Sequence, residues 1–229
     1  MQYAASFASM GVIVILIAYT VQTTVQQVNK IQPFTAGIET NHSSRLFTSA
    51  ADAKPTIFQV DKANSKLTWT AKKVTGQHTG HINISNGALN LDNNTLTGGS
   101  FELDTRSISV TDIAEAETNA KLVGHLKSDD FFAVEKFPAA SFTITSATPK
   151  GSGKYDIAGK LTIKGITNDV NFPATVALTN GKLTAKALVK IDRTKYDIKF
   201  RSKSFFENLG DKVIYDDFDL DIALVASAQ

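Results

Sequence analysis

From Thr56 onward the chain alternates apolar and polar residues with a period of two. The cleanest run is Lys182–Asp192, KLTAKALVKID: Leu183, Ala185, Ala187, Val189 and Ile191 fall on one face, and Lys182, Thr184, Lys186 and Lys190 on the other. Successive side chains of a strand point to opposite faces, so this pattern specifies a half-buried antiparallel strand. A chain built of such strands must cover its apolar face by stacking two sheets or by closing one sheet on itself. A closed ring of about eight strands is just wide enough to hold a small ligand. The pattern therefore points to a container before it points to a catalyst.

The same reading places strands at Thr56–Asp61, Lys66–Val74, Gly80–Ser85, Ala88–Leu91 and Thr95–Asp104, then at Ala140–Thr148, Gly153–Gly165, Asn168–Leu178, Lys182–Asp192 and Asp217–Ala226. Asp61–Ser65 and Asp92-Asn93-Asn94 carry turn residues, and Asn86-Gly87 and Asn180-Gly181 predict tight hairpins. Lys164-Gly165-Ile166-Thr167 lies between two strands and reads as a hairpin turn, not a phosphate loop. Asp112–Phe137 breaks the alternation. Its helix formers and the spacing of Leu122, Val123 and Leu126 predict a helix, with Ser128-Asp129-Asp130 capping a second short one and Pro138 ending it. A helical insertion at the end of a barrel would supply a lid or floor.

The N-terminus is different material. No charged side chain precedes Lys30, and Ala4–Val21 is strongly apolar. As a helix, about 18 residues span roughly 27 Å, close to a bilayer core of about 30 Å. A cleaved signal peptide would want a basic start and a small-residue site just after the apolar run. Met1–Tyr3 carries no Lys or Arg, and the nearest such site, Ala51-Asp52-Ala53, lies far downstream. An uncleaved signal anchor over residues 1–25 fits better than a signal peptide. Residues 26–54 are rich in Gln, Thr, Ser and Asn and read as a flexible linker. The globular domain then covers residues 55–229. Its 24 basic and 22 acidic residues in the whole chain leave a net charge of +2, which gives no basic stripe for nucleic acid. The absence of cysteine excludes disulfides, thiolate metal sites and a cysteine nucleophile.

An ordered set of motifs resembles the YceI-like family of polyisoprenoid-binding proteins. It comprises Phe58-Gln59-Val60-Asp61 with Ser65-Lys66-Leu67-Thr68-Trp69, and Gly80–Leu91, GHINISNGALNL. It continues with His125–Phe132, HLKSDDFF, then Phe137-Pro138 and Phe142. Gly159–Thr167, GKLTIKGIT, Phe172 and Ile191–Tyr196, IDRTKY, complete it. The resemblance implies an all-β fold, a lipocalin-like antiparallel barrel of about eight strands. It also implies an isoprenoid lipid, a polyprenyl phosphate or a quinone, in an apolar tunnel, and a periplasmic or exported location. Combined with the apolar N-terminus, it suggests a protein tethered to the inner membrane. Neither a cofactor nor catalysis is expected; the alternatives are a lipid-modifying enzyme with a catalytic pair at the tunnel mouth and a structural or interaction barrel with a filled core, and a homodimer is the assembly to test.

The expected tunnel face is Trp69, Phe101, Leu103, Phe142, Ile144, Leu161, Ile163, Phe172 and Val176, with Leu122, Leu126, Phe131 and Phe132 from the helical insertion. Taken singly, each of these could equally fill a dry core. Interspersed small residues (Ala71, Gly159, Ala174, Ala185, Ala187) make a packed interior less certain, and the resemblance tips the set towards a hollow. A lipid head group needs a polar mouth, for which Arg193 and then Arg106 are the candidates, since a guanidinium matches phosphate geometry. Pairing with Asp192 or Asp104 is the structural alternative. His78 and His81 have no obvious carboxylate partner and would face opposite ways on a strand, so no metal site is expected. His125 is expected to orient the insertion through hydrogen bonds. Asp217, Asp219 and Asp221 fall on one solvent face, opposite Phe218, Leu220 and Ile222, which suits a solvated or edge strand. No hydrolase triad context or dinucleotide fingerprint appears.

Overall fold

A computed structural model describes residues 55–229. The expected membrane helix of residues 1–25 and the linker of residues 26–54 lie outside the described residues. Nine strands follow one another: β1 (Thr56–Val60), β2 (Lys66–Lys73), β3 (Gly76–Asp92), β4 (Thr95–Asp104), β5 (Ala139–Gly151), β6 (Lys154–Ile163), β7 (Ile166–Thr179), β8 (Lys182–Asp192) and β9 (Ile214–Ala228). One helix, α1 (Ala116–Lys127), interrupts them between β4 and β5.

Every strand pair is antiparallel. The sheet closes because β3 pairs with β2 on one side and with β4 on the other. β1 and β2 share one place in the ring. β1 pairs with the last residues of β3 (Phe58↔Leu89) and of β9 (Phe58↔Ala228), while β2 pairs with earlier parts of the same strands (Leu67↔Ile82, Leu67↔Ile222). Asp61–Ser65 is thus a detour within one strand direction. The Asp61 carboxylate accepts from the Asn64 side chain and from the Ala63 and Asn64 amides, and the Ser65 hydroxyl meets Val225. The result is an eight-position barrel.

Local chemistry explains the short turns. Asn93-Asn94, Lys164-Gly165 and Asn180-Gly181 all have positive φ at both residues, as a two-residue hairpin requires. Asn86-Gly87 does not. Gly76–Asp92 is one continuous strand, and the pair sits at an irregularity where the β3–β4 register shifts between Ile84 and Asn86. A Cβ on Gly87 would lie 2.9 Å from the Phe101 ring and 3.0 Å from Val60. Glycine is there so that those side chains can approach the backbone, not to reverse the chain.

The expected helical insertion is present but shorter. α1 is capped by the Glu115 carboxylate, which accepts from the Glu117 and Thr118 amides at 2.8 and 2.7 Å. Beyond Ser128 the chain forms turns, not a second helix. Those turns fold back on the end of α1: Phe132 and Val134 donate to the Leu126 and Lys127 carbonyls, and Ala133 adopts a left-handed φ of 46°. A residue in that conformation cannot continue a helix.

Two apolar clusters fill most of the interior. One is centred on Phe58, Leu67, Leu89, Leu183 and Ala226, the other on Phe131, Leu161, Ile191, Tyr196 and Ile198. Outside, β9 is not an edge: it lies between β2 and β8, and the middle carboxylate of its acidic strip is answered across both partners. Asp219 meets Lys190 at 2.9 Å and Lys72 at 3.6 Å.

Candidate functional site

Inward-facing side chains from both clusters leave two voids, each of about 100 Å³. The first is bordered by Phe101, Phe142, Ile144, Phe172, Ala174 and Val176. The second is bordered by Trp69, Ala71, Leu126, Phe131, Phe132 and Ile163. Leu103, Leu161, Ile191 and Leu220 border both and form a waist between them. The chambers are therefore arranged end to end inside one barrel. Voids of this size are roomy enough for water; the walls are almost wholly apolar, the exceptions at the second chamber being Thr105, Arg193, Tyr215 and the unpaired Trp69 Nε1.

The alternation of β8 shows how sequence builds this lining. Leu183, Val189 and Ile191 are buried, and Ala185 and Ala187 face the same interior, where their short side chains leave the first chamber open. On β6, Gly159 does the same job differently. A Cβ there would collide with the Phe142 ring and lie 2.6 Å from the Thr143 oxygen. Phe142 accordingly lies across Gly159 and packs on Phe101 and Phe172, with ring centroids 6.4 and 5.6 Å apart.

Every residue expected on the tunnel face borders a chamber except Leu122, which is half-buried on α1 and borders neither. α1 and its following turns close one end of the second chamber through Leu126, Phe131 and Phe132. His125 holds this cap. Its Nε2 lies 2.9 Å from the Asp130 carboxylate, and its ring stands edge-on to Phe131 and Phe200 at 4.9 and 4.6 Å. Ile198, in the irregular segment after β8, and Ile214 and Tyr215, at the start of β9, close the chamber from another side.

The two arginines have different surroundings. Arg193 is buried, and its guanidinium donates to the carbonyl oxygens of Tyr215, Ile198 and Ile214 at 3.0, 2.8 and 2.9 Å, with Asp216 at 3.5 Å. Burial lowers its pKa, opposed by Asp216 and Asp192. The partner is thus Asp216 and the main chain, not Asp192, whose carboxylate instead caps Thr194. These bonds make Arg193 a cross-link rather than a free cation at a mouth. Arg106 is exposed, with its Nε on Asp104 at 2.9 Å. Its neighbour Thr105 borders the second chamber.

His78 departs from expectation: it has a carboxylate partner, Asp112, at 2.9 Å. Asp112 also accepts from the Thr79 amide, so the pair pins the segment leading to α1 against β3. His81 faces Thr68 instead. Among the described residues no group of three potential ligands could hold a metal ion.

One feature of the wall was not legible in the pattern. β7 and β8 pair from Thr179↔Lys182 to Ala174↔Ala187 and no further, although both strands continue. Pro173, which has no N–H to donate, stands at the parting. Beyond it the fork holds a polar pocket of about 300 Å³ bordered by Asp169, Asn171, Lys190, Asp192, Lys195 and Tyr196. Val170 and Ile191 border both this pocket and the first chamber. Burial and the nearby Asp192 push the Tyr196 hydroxyl up to about 12, so it stays protonated.

Comparison with known proteins agrees with this geometry. The family model described as YceI-like domain matches residues 58–226. A UPF0312 protein of Shewanella denitrificans is 30% identical over 133 residues, covering 58% of this chain and 67% of the relative. One of Vibrio vulnificus is 34% identical over 97 residues, covering 42% and 48%. Among solved structures, BcnA of Burkholderia cenocepacia superposes with a TM-score of 0.61 at 23% identity, over 73% of this chain and 99% of that one. A polyisoprenoid binding domain from Saccharophagus degradans does so with 0.58 at 16% identity, over 75% and 98%. Both share the fold.

Proposed function

Because the chain belongs to the YceI-like family, we propose that its barrel sequesters or carries an isoprenoid lipid, of the polyprenyl phosphate or quinone type, without chemical reaction. The observation that carries this reading is the pair of end-to-end chambers with apolar walls. A hydrocarbon chain is the ligand such walls favour, since they offer contact surface and few hydrogen-bond partners, the unpaired Trp69 Nε1 of the second chamber among them. Removing about 400 Å² of apolar ligand surface from water is worth about 10 kcal/mol before the costs of ordering and association. Rotation of Leu103, Leu161 and Leu220 at the waist joins the chambers into one tunnel for a longer chain. The polar head stays outside, at the rim. A neighbour of the same fold is a polyisoprenoid binding domain, which supports this ligand class.

The proposed setting is periplasmic or exported, with residues 1–25 as the tether. Native mass spectrometry after gentle purification tests the ligand. An adduct whose mass and fragments are those of an isoprenoid is expected. A bare protein mass that added prenyl lipids do not shift would remove the reading, and turnover of an added prenyl diphosphate would replace it with an enzyme.

A further inference from the structure

The segment Lys199–Lys212 joins a pair of exposed aromatic rings to a set of basic side chains. Phe205 and Phe206 are each 50% exposed, although phenylalanine is among the residues most often buried. They are held out by a built turn. Both amides donate to the carbonyl of Ser202, which is fully buried. Ser204 donates to Asp216 at 2.6 Å, and Arg201 and Asn208 have positive φ on either side. The rings are therefore presented, not merely left over. Two further exposed apolar side chains, Val74 (51% exposed) and Tyr215 (45%), flank the ends of the segment: Val74 donates to the Val213 carbonyl, and Ile214, next to Tyr215, to that of Arg201.

Charge surrounds this apolar tip. Lys199 lies over the Phe205 ring at 5.0 Å and is paired with Asp197. Arg201, Lys203, Lys212 and Lys73 enter no ion pair among the described residues; neither do the two acidic groups of the same segment, Glu207 and Asp211. Within the segment three unpaired basic groups stand against two acidic ones, and Lys73 adds a fourth base from β2. Aromatic rings at the tip with Lys and Arg around them match a membrane interface, where rings sit at head-group level and basic side chains meet anionic lipid. The same segment continues inward: Ile198, Ile214 and Tyr215 border the second chamber.

We propose that the Lys199–Lys212 segment is a bilayer-docking tip, in which Phe205 and Phe206 enter the interface of an anionic membrane and set the second chamber against it. The partner is a lipid surface, not a protein. The inference takes its purpose from the lipid-carrier reading, but its test is separate: docking is read at the tip, and ligand content is read by mass.

The full chain contains one tryptophan, Trp69, which is buried. Phe205→Trp in the full chain therefore reports on the tip alone once the parent signal is subtracted, whatever residues 1–25 do. On vesicles of phosphatidylcholine with phosphatidylglycerol, its emission should shift to the blue and be quenched by brominated acyl chains. Pure phosphatidylcholine vesicles should give a much weaker response. Adding Arg201→Glu and Lys203→Glu should weaken the response to anionic vesicles about tenfold or more, in a variant whose far-ultraviolet circular dichroism remains that of the parent. An unshifted spectrum on vesicles that bind the protein overturns the proposal. So does a blue shift that needs no vesicles and grows with protein concentration, which would make the tip a self-association surface. Loss of isoprenoid from the purified protein with docking intact would instead count against the carrier reading alone.

Discussion

Arg193 donates through Nη1 to the main-chain oxygen of Ile198 at 2.8 Å, five residues further along the same chain. Through Nε and Nη2 it also reaches the carbonyls of Tyr215 and Ile214, at the start of β9. One guanidinium thus ties the end of β8, the segment that follows it and the beginning of the last strand. Removing it strands several buried acceptors and leaves Asp216 without its cation. Breaking such a buried set costs about 3–5 kcal/mol. Arg193→Ala should lower the thermal midpoint by roughly 10 °C, and Arg193→Lys should recover little, because an ammonium cannot reproduce the fork. Arg106→Ala, on an exposed pair, should move it by less than about 2 °C. Differential scanning calorimetry of the three variants decides; equal midpoints for Arg193→Ala and Arg106→Ala would refute the cross-link.

Ala174 borders the first chamber, opposite Ala187 in the β7–β8 register. A phenyl ring placed there is expected to take up the free space of the first chamber. Ala174→Phe should keep the far-ultraviolet circular dichroism of the parent while losing co-purified lipid. A folded variant with full lipid content would rule out that chamber as the tail site.

Gly159 has no room for a methyl group, because Phe142 and the Thr143 carbonyl already occupy it. Gly159→Ala should push the Phe142 ring toward the first chamber and cost about 1–3 kcal/mol. Chemical denaturation should show the loss, and ligand titration should show weaker binding. Combining it with Phe142→Leu should restore much of the stability, since the smaller side chain gives way. A double variant no more stable than Gly159→Ala would mean that the backbone contact dominates.

Burial raises the pKa of Asp216, but hydrogen bonds from Ser202 and Ser204 and the charges of Arg193 and Lys203 outweigh it, so the net shift is below the ordinary 3.8. A folded value below the unfolded one means the stabilisation is fully present above about pH 4 and fades as pH falls through the folded value. Amide exchange at Ser202–Phe206 should keep its protection from pH 7 to 5, after correction for intrinsic rates, and lose it first below pH 4. Asp216→Asn should remove that local acid sensitivity. Protection that persists undiminished in strong acid would sink the assignment.

The faces of the strands were legible because alternation is local: which side of β8 is buried follows from KLTAKALVKID alone. So were the turns at Asn93-Asn94 and Asn180-Gly181, where a short polar residue or glycine accepts a positive φ, and at Lys164-Gly165, where the lysine in that conformation also reaches the Asp129 and Asp197 carbonyls. The same dipeptide, Asn-Gly, behaves differently at 86–87, because Phe101 from β4 and Val60 from β1 press on Gly87 only once the ring has closed. Leu122 shows a related limit: helical spacing gave its face, but not how far α1 would sit from the chambers.

Arg193 is the clearest case of a role decided at a distance. As a residue in a turn motif it looked available to a phosphate; in the fold, carbonyls as far as 22 positions away claim its donors. The fork between β7 and β8, too, exists only because both strands are held by their outer neighbours, β6 and β9, while parting from each other. By itself the sequence determined a chain of two-faced strands and the side each would bury, since period and turn chemistry act over a few residues. The tertiary structure alone decided which polar groups are spent on one another and how much space the interior leaves, because both depend on side chains brought together from strands far apart in the chain.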